Sequence, residues 1–365
     1  MKNKLISIGI SLALIAAMTV SLVSCTRSGE GTGGSYDAHV FYYTFSDTYI
    51  SSVRNELDAM LKDAGISYQD YDGNNNQTTQ TEQVQTAITK GAKAIIVNIV
   101  NTSSDDAASS VVQLAKNAGI PVIFFNREVS DSVISMYENC AFVGTKAEEA
   151  GILQGEMIGE YVLENYDKLD LNGDGEISYI MFKGEEGNKE AIYRTQYAVE
   201  YADEILTSAG KSPLKFYDDK NPNGYLVDKN GQWSAVAANE YMTTALTSYS
   251  EQNGNMIELV ICNNDNMAEG AIRALNSAGY NLGGDSVTIP VFGVDATDAA
   301  KDLIANGKMT GTIRQDAESM AKAITLLTEN ALSNGEKSLM DSTENYNVDD
   351  SVNKIRISYA KYLGE

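Results

Sequence analysis

The sequence predicts an α/β protein with two doubly wound, parallel-sheet lobes joined by a hinge. Segments with the pattern of strands alternate with segments that have helical periodicity, and this alternation restarts after about Gly144. The chain has 365 residues, more than one ordinary domain contains. A repeated strand–helix order requires a parallel sheet with right-handed crossovers. Two such runs therefore predict two similar lobes.

The first run contains four predicted strands and three predicted helices. Apolar, aromatic or β-branched segments predict the strands, at residues 39–45, 66–71, 94–100 and 120–125. The first helix begins at Asp47 and ends at Gly65, and two more are predicted at 78–90 and 107–118. The segment 94–100 is almost entirely apolar, as expected for a central strand that is buried on both faces.

The second run has predicted strands at residues 177–183, 214–217, 257–262 and 291–294. Ligands of doubly wound sheets bind outside the carboxyl ends of the strands. Polar residues collect at those ends in both runs, namely Asn98, Asn126, Asn263, Asn264, Asp265 and Asp295. Each alone is typical of a helix cap or a turn. Together they favour a neutral, polyhydroxylated ligand, because each hydroxyl both donates and accepts.

The N-terminus has the features of a secretory signal peptide, predicted for residues 1–24. Lys2 and Lys4 precede an apolar stretch at 5–23, and a small residue precedes Cys25. The cysteine at that place resembles a bacterial lipobox, which implies lipidation of Cys25 and a flexible tether at 25–36. A single transmembrane anchor is the alternative. We expect an extracytoplasmic protein that is lipid-anchored to the cell membrane.

Composition excludes several classes of function. The net charge of -23 argues against nucleic acid as a partner, because phosphate binding needs basic clusters. One His, no Gly-x-Ser-x-Gly elbow and no Walker A motif argue against an enzyme. The alternative is a sugar-cleaving enzyme with Asp47 and Asp295 as its carboxylate pair. Cys140 and Cys262 lie among apolar residues, so two buried free thiols are expected.

Residues 170–178 have the first nine positions of an EF-hand loop. Side-chain oxygens occur at positions 1, 3 and 5, Gly175 allows the sharp turn, and Glu176 offers its carbonyl. Position 12 is Met181 instead of a bidentate Glu, which excludes a true EF-hand. We therefore expect a structural Ca²⁺ site that takes a further carboxylate from elsewhere in the chain. The ligands expected within the loop are Asp170, Asn172, Asp174, Glu176 and Ser178.

Five motifs resemble the galactose/glucose-binding proteins of ABC sugar importers, and they occur in one collinear order between about residues 38 and 360. They are VIFFNRE (122–128), FVGTKAEEAG (142–151), DLNGDGEI (170–177), ICNNDNMAEGAIRAL (261–275) and IPVFGVDA (289–296). The resemblance implies the periplasmic-binding-protein type I fold, in which two hinged Rossmann-like lobes close on a monosaccharide. The implied N-terminal lobe comprises 37–143 plus about 315–350, and the C-terminal lobe comprises 144–314 plus about 351–365.

Carried over position by position, the resemblance implies a set of sugar-binding residues. The implied polar contacts are Asp47, Asn98, Arg194, Asn264 and Asp295, with Tyr49 and Trp233 clamping the ring. Three positions depart from the family pattern, with Asn188 in place of His, Glu190 in place of Asp and Gln315 in place of Asn. The resemblance also implies that Glu258 supplies the carboxylate that completes the calcium site from outside the loop. The family often has Gln at the position of Ser178. The segment 218–231 is longer than usual, and a surface hairpin is expected there.

The implied function is capture of D-galactose or D-glucose by a monomeric binding protein, which delivers the sugar to a membrane-embedded ABC permease. A pentose-binding sibling of the same importer class is an alternative. A LacI-type regulator shares the two lobes, but it would need an N-terminal helix-turn-helix where this chain has the predicted signal peptide.

Overall fold

The computed structural model describes residues 36–349 and 351–364. The predicted signal peptide, Cys25 and nearly all of the predicted tether lie outside these residues. The described part contains two seven-stranded sheets, each covered by helices on both faces. The prediction of two doubly wound lobes is confirmed.

The N-terminal lobe is built on a sheet with the strand order β12-β13-β5-β4-β3-β1-β2. Its strands are β1 (Ala38–Tyr42), β2 (Tyr68–Asp72), β3 (Ala94–Val97), β4 (Val122–Phe125), β5 (Cys140–Gly144), β12 (Asn347–Val348) and β13 (Lys354–Arg356). All neighbouring strands are parallel except β12, which is antiparallel to β13. Its helices are α1 (Thr48–Asp63), α2 (Gln77–Thr89), α3 (Asp106–Ala118), α4 (Asp131–Ile134) and α10 (Ala317–Ala331).

The C-terminal lobe repeats this plan with the order β14-β11-β10-β9-β6-β7, and β8 also pairs with β6. Its strands are β6 (Ser178–Lys183), β7 (Lys215–Phe216), β8 (Leu226–Val227), β9 (Leu259–Cys262), β10 (Val291–Asp295), β11 (Gly311–Gln315) and β14 (Tyr359–Tyr362). Its helices are α5 (Ala147–Leu169), α6 (Lys189–Ser208), α7 (Ala235–Leu246), α8 (Asp265–Ser277) and α9 (Asp298–Ala305), with a 3₁₀ turn at Glu251–Asn253.

The hydrophobic periods in the sequence account for these layers. Every residue of β3, β4, β5, β9 and β10 is buried, which agrees with central strands covered on both faces. The helices bury one face each. In α1, for example, Val53, Leu57 and Leu61 are buried at a helical spacing and pack against the sheet. Cys140 and Cys262 are free and buried, as predicted, and they lie in different sheets.

The chain crosses between the lobes three times, after β5, β11 and β13. The first two crossings lie close to the predicted boundaries at 144 and about 315. The boundary predicted near 350 is too early. Strand β13 pairs with β5 through Lys354, Ile355 and Arg356, so the N-terminal lobe continues to Arg356. Only β14 returns to the C-terminal lobe, antiparallel to β11.

The segment 218–231 is not the surface hairpin expected from the sequence. Within it, Leu226 and Val227 form β8, which runs parallel to β6. Two antiparallel strands of a hairpin would need to pair with each other, whereas β8 instead extends the edge of the C-terminal sheet beyond the short β7. Asp228 directly follows β8, and its carboxylate accepts hydrogen bonds from the N–H groups of Asn230 and Ser234.

Candidate functional site

The candidate site is a cavity between the two lobes, at the carboxyl ends of the strands. Strand β1 lies between β2 and β3, and β6 lies between β9 and the edge formed by β7 and β8, which puts a topological switch point at β1 and at β6. About 380 Å³ of space lies between the protein atoms here, including a part that opens to solvent. Its lining residues are Tyr43, Asp47, Tyr49, Ile50, Asn126, Arg127, Asn188, Glu190, Arg194, Trp233, Asn264, Asp295 and Gln315.

Nine of the ten sequence-predicted ligand residues line this cavity. They come from both lobes and from six separate stretches of chain, so the tertiary fold brings together residues as far apart as Asp47 and Gln315. The nine are Asp47, Tyr49, Asn188, Glu190, Arg194, Trp233, Asn264, Asp295 and Gln315.

Asn98 is the tenth predicted residue, and it lies behind the cavity wall. Its side chain is fully buried. The Oδ1 atom accepts a hydrogen bond from the Tyr43 N–H (3.3 Å), and Nδ2 donates to the Phe125 carbonyl (3.1 Å) and to Asn126 Oδ1 (3.2 Å). Asn98 therefore ties the ends of β1, β3 and β4 together and positions two residues that do line the cavity. The direct contact predicted for it is replaced by a supporting role.

Three of the predicted residues are also helix N-caps. Asp47, Asn188 and Asn264 each accept a hydrogen bond from the backbone N–H three residues later, at the starts of α1, α6 and α8. The Asp47 carboxylate in addition accepts from the Tyr43 hydroxyl at 2.7 Å. Capping uses one oxygen and fixes the side chain at the strand end, so these groups are held rigidly at the cavity edge.

Arg194 is buried, and its guanidinium is mostly used by the protein itself. Nη1 donates to the Asn263 carbonyl at 2.9 Å, and Nη2 donates to Gln315 Oε1 at 3.1 Å and to the Tyr359 hydroxyl at 2.9 Å. Among the described residues, Arg194 Nε has no hydrogen-bond partner. Three of the five guanidinium N–H groups are therefore used within the protein, which leaves the Nε donor and the second N–H of Nη1 for a ligand.

Gln315 and Glu190, like Arg194, each have one buried polar atom without a hydrogen-bond partner among the described residues. Gln315 Nε2 and Glu190 Oε2 make no hydrogen bond to any described residue, although both side chains are buried. Glu190 Oε1 accepts from the Glu128 N–H across the cleft at 3.1 Å. A buried polar atom without a partner costs free energy, and three of the ten such side-chain atoms in the described part of the chain belong to residues that line this one cavity. Their number and position are those of a site that hydrogen-bonds a small polar ligand.

Two carboxyl groups of the site, those of Asp295 and Glu190, are shifted toward their neutral forms. Burial raises the pKa of Asp295 well above its ordinary value, and the Arg194 guanidinium, 4.0 Å away, opposes that rise. Burial also raises the pKa of Glu190, and the nearby Glu128 carboxylate adds to the shift. A carboxyl group in its neutral form donates one hydrogen bond and accepts others, so both groups can match a hydroxyl in either sense.

The aromatic residues predicted to clamp a ring both reach the cavity, but Trp233 is less exposed than its polar sequence neighbours indicate. Its side chain is 7% exposed and packs on Gly184, where an added Cβ would lie 2.1 Å from the indole Cδ2. Only glycine fits beneath the ring. Tyr49 is equally buried, and its hydroxyl donates toward the Met320 sulfur at 3.8 Å.

Some unusual backbone conformations lie at the cavity. Of the nine non-glycine residues with positive φ in the described part of the chain, Asn126 (62°), Trp233 (53°) and Asp295 (128°) line the cavity, and Ala296 (58°) adjoins it. Asn and Asp are enriched at positive φ, but Trp and Ala adopt it rarely. Such conformations cost free energy and cluster at functional sites, so they support this cavity as the functional site of the protein.

Four lining residues were not predicted as contacts, namely Tyr43, Ile50, Asn126 and Arg127. Asn126 had a detectable signal, because it directly follows a buried strand. Arg127 had the same signal one residue later. Its guanidinium lies 3.9 Å from the Tyr43 ring centroid and donates to the Ile99 carbonyl and to the Glu185 carboxylate of the opposite lobe. Tyr43 and Ile50 lie in apolar patterns that favour the core.

The loop at 170–178 lies at the end of α5, in the C-terminal lobe. Asp170 accepts hydrogen bonds from the N–H groups of Asp174 and Gly175, and Asp174 accepts from that of Glu176. Glu258 contacts both ends of the loop, because Oε1 accepts from the Leu171 N–H at 2.7 Å and Oε2 from the Ser178 N–H at 2.9 Å. The predicted distant carboxylate is thus brought to the loop.

The donor atoms of this loop are the hard oxygens that Ca²⁺ takes. Within residues 36–349 and 351–364, no three His, Cys, Asp or Glu side chains converge as a metal centre. A cation at the loop would therefore depend on the Asn172 amide and the Glu176 carbonyl as well as on carboxylates. The Glu176 side chain is turned away to an ion pair with Lys215 at 2.7 Å, which leaves its carbonyl as the expected donor.

No helix in the described part of the chain is both long and apolar enough to cross a membrane. The apolar stretch at 5–23 is outside that part.

Comparison with known proteins places the chain among binding proteins. Residues 38–337 match the family described as "Periplasmic binding protein domain". The D-galactose/methyl-galactoside binding periplasmic protein MglB of Haemophilus influenzae is 34% identical over 292 residues, which is 80% of each chain. The D-apiose import binding protein of Paraburkholderia graminis is 27% identical and covers 83% of this chain and 82% of its own.

Solved structures agree with the fold. An ABC transporter solute binding protein from Bacillus halodurans, with bound myo-inositol, superposes with a TM-score of 0.67 and is 26% identical. The match covers 91% of this chain and 96% of that protein. This chain therefore shares its overall fold with that solute-binding protein.

Proposed function

The chain belongs to the periplasmic binding protein family, and from that premise we propose that it captures a monosaccharide outside the cytoplasm and delivers it to an ABC importer. The observation that carries the proposal is the set of three buried atoms in the interlobe cavity, Arg194 Nε, Gln315 Nε2 and Glu190 Oε2, which have no partner among the described residues. Two donors and one carboxyl oxygen beside two aromatic rings match the hydroxyls and the apolar C–H faces of a small sugar.

D-galactose or D-glucose is the sugar proposed. The support is the collinear motif resemblance and the 34% identity to the galactose-binding relative. Glu190 and Gln315 are each one methylene longer than the residue expected there, and the side-chain carbonyl of Gln315 accepts a hydrogen bond from Arg194. The hydrogen-bonding groups of this pocket therefore differ from the family pattern, and this difference affects the preference between D-galactose and D-glucose.

A thermal-shift screen of the mature protein tests the sugar class. Because a ligand that binds only the folded state stabilises it by mass action, about 2.7 kcal/mol at 100 times Kd, millimolar D-galactose or D-glucose should raise the melting temperature. D-ribose, D-xylose, lactose and myo-inositol are the comparison ligands. A shift with a pentose or with myo-inositol alone would refute the hexose proposal and keep that of a solute-binding protein.

Binding without catalysis is the second part of the proposal. Asp47 and Asp295 lie in the same cavity, as a glycosidase pair would, but Asp47 already caps α1 and accepts from the Tyr43 hydroxyl. Incubation with lactose and with aryl glycosides, followed by an assay for released sugar, distinguishes the two classes. Release above the level of an Asp295→Asn variant would overturn the proposal.

A structural Ca²⁺ ion at the 170–178 loop is the third part. The support is the oxygen spacing of the loop together with the contacts of Glu258 to both of its ends. The proposed ligands are Asp170, Asn172, Asp174, the Glu176 carbonyl, Ser178 and Glu258. The ion would stabilise the edge of the C-terminal lobe and would take no part in sugar binding.

Membrane attachment through a lipid on Cys25 is the last part. The support is the apolar stretch followed by Ser24 and Cys25 and then by a Gly- and Ser-rich segment. Detergent phase partition of the protein expressed in a bacterium provides the test. We expect the wild type in the detergent phase and Cys25→Ser in the aqueous phase, whereas equal partition of both would refute lipidation at this position.

A further inference from the structure

Glu185, in the loop after β6, lies where the two lobes meet at the edge of the cavity. Its Oε2 atom accepts hydrogen bonds from three directions. One is an ion pair with Arg127 Nη2 of the N-terminal lobe. The other two come from the C-terminal lobe, from the Trp233 indole Nε1 at 3.5 Å and from Asn188 Nδ2 at 3.4 Å. One carboxylate thus links the predicted stacking ring, a lining amide and the opposite lobe.

Arg127 is held in the N-terminal lobe by contacts that do not involve Glu185. Its guanidinium donates to the carbonyls of Ile99 and Val100 and lies over the Tyr43 ring, 3.9 Å from the centroid. Its side chain is 4% exposed, against 21% for Glu185. Separation of the lobes would break this ion pair, whose charges attract each other more strongly in the closed cleft than across open solvent. The pair therefore favours the closed arrangement.

Trp233 is held in the C-terminal lobe in a similar way. Its ring packs on Gly184, and its carbonyl accepts from Asn264 Nδ2 at 3.4 Å and from Asn266 Nδ2 at 3.1 Å. The indole has one polar atom, Nε1, and Glu185 is the acceptor that it meets. The orientation of the ring and the interlobe ion pair therefore share the same carboxylate oxygen.

Other contacts across the cleft are uncharged. Asn75 Nδ2 donates to the Asn230 carbonyl at 3.0 Å, and the Glu128 N–H donates to Glu190. Of the ion pairs between residues that the structure describes, Arg127–Glu185 is the one that spans the cleft, whereas Arg314–Asp316 lies at the chain crossing after β11. The attraction between opposite charges across the cleft is thus concentrated at one pair.

We propose that Glu185 is a positioning residue that couples lobe closure to the orientation of the Trp233 ring, so that the closed cavity and its stacking surface form together. The coupling deepens the proposed function, because it concerns how the same cavity prepares for a sugar. It acts before any ligand is present, since every contact that it needs is made by the protein.

The variants are Glu185→Gln, which keeps the shape of the side chain and removes its charge, and Arg127→Gln. The control is Glu186→Gln. Glu186 is the next residue in the chain after Glu185, and its carboxylate pairs with Lys183 within the C-terminal lobe. Circular dichroism and melting curves establish that each variant is folded. Distances between one spin label on each lobe, measured by pulsed electron resonance without sugar, report closure.

We expect the ligand-free closed fraction to fall at least threefold in Glu185→Gln and in Arg127→Gln, and to remain unchanged in Glu186→Gln. The Trp233 emission maximum should shift in the first variant, because the indole loses its charged acceptor. Calorimetry with D-galactose should show about tenfold weaker binding for each cleft variant, and the double variant should be little weaker than either one.

The proposal is overturned if Glu185→Gln keeps the closed fraction and the emission maximum of the wild type. The spin-label distances separate this failure from a wrong ligand. If D-galactose does not bind the wild type, the sugar assignment is wrong, and the ligand-free distances still decide whether Arg127 and Glu185 hold the lobes together.

Discussion

The interlobe cavity and the 170–178 loop were both predicted as binding regions, and they are built in opposite ways. The loop is one continuous stretch whose Asp170 and Asp174 carboxylates accept hydrogen bonds from its own backbone. The cavity is assembled from seven stretches, and it leaves Arg194 Nε, Gln315 Nε2 and Glu190 Oε2 without partners among the described residues. The loop is therefore organised by local bonds, whereas the cavity is organised by the fold and carries polar atoms that a ligand can satisfy.

If this contrast is correct, the largest effect on binding should come from Arg194→Met. The variant removes the Nε donor and also leaves the Asn263 carbonyl, Gln315 Oε1 and the Tyr359 hydroxyl without their buried donor. An unpaired buried polar group costs about 1–3 kcal/mol, so sugar affinity should fall at least a hundredfold by calorimetry. Arg314→Met, an exposed arginine one residue from Gln315, is the matched control and should bind normally. Normal binding by Arg194→Met would show that the cavity is not the sugar site.

Trp233→Ala should have the next largest effect. Ring stacking is worth roughly 0.5–1.5 kcal/mol beyond area burial, and the lost apolar area adds about 25 cal/mol per Å². Hexose binding should weaken at least tenfold, with Ca²⁺ binding unchanged. Trp233→Phe keeps a ring on Gly184 and should lose less. As the sole Trp, residue 233 should also report sugar binding by a change in fluorescence. Unchanged affinity in folded Trp233→Ala would assign the ring a purely structural role.

Removal of metal should affect stability and spare sugar binding. After metal stripping, EDTA should lower the melting temperature and Ca²⁺ should restore it, with the gain set by mass action. Asp174→Ala should mimic the loss. Glu258→Ala should lower stability further, because the buried carboxylate also accepts the N–H groups of Leu171 and Ser178. Glu240→Ala, on the exposed face of α7, is the control. Identical melts with and without EDTA would contradict a calcium site.

The smallest expected effect lies in a third region, the Asp58–Asp70 carboxyl pair between α1 and β2. Each residue has a buried Oδ1 atom without a partner in the described chain. Burial and the neighbouring Asp58 carboxylate raise the pKa of Asp70 to about 7, and Arg54 opposes the rise. Both carboxylates also face the buried Tyr42 hydroxyl and the phenol of Tyr68.

A raised pKa means that the folded state favours the neutral carboxyl. The stabilisation is complete below the ordinary value near 4 and is lost as the pH rises through about 7. Between pH 5 and pH 8 the melting temperature should therefore fall, mostly below pH 7, and the fall should level off above that pH. Asp70→Asn should flatten this dependence and leave sugar and Ca²⁺ binding unchanged. An equally steep pH dependence in Asp70→Asn would assign it to another group.

Several features of the site could be predicted because each depends on a short segment of the sequence. The Asp47 cap, the strand end before Asp295 and the loop spacing at 170–178 each depend on a few adjacent residues, and each occurs where it was expected. The position of Asn98 could not be predicted in this way. A polar residue at a strand end can face a ligand or a neighbouring strand. Because β1 and β4 pack on either side of β3, the Asn98 side chain hydrogen-bonds the backbone of these neighbouring strand ends.

The sequence alone determined the two α/β lobes, the helix start at Asp47 and the buried thiols, because periodicity, capping and apolar neighbours are local properties of the chain. The set of sugar-binding residues was implied by the family resemblance, and nine of its ten members line the cavity. Only the tertiary structure decided that β8 joins the sheet edge, that β13 remains with the N-terminal lobe, and that both Nη atoms of Arg194 donate to groups of the protein. It also brought Arg127 to Glu185, from opposite lobes. Pairings between residues far apart in the chain depend on which surfaces meet when the cores pack. A local sequence pattern does not specify which surfaces meet.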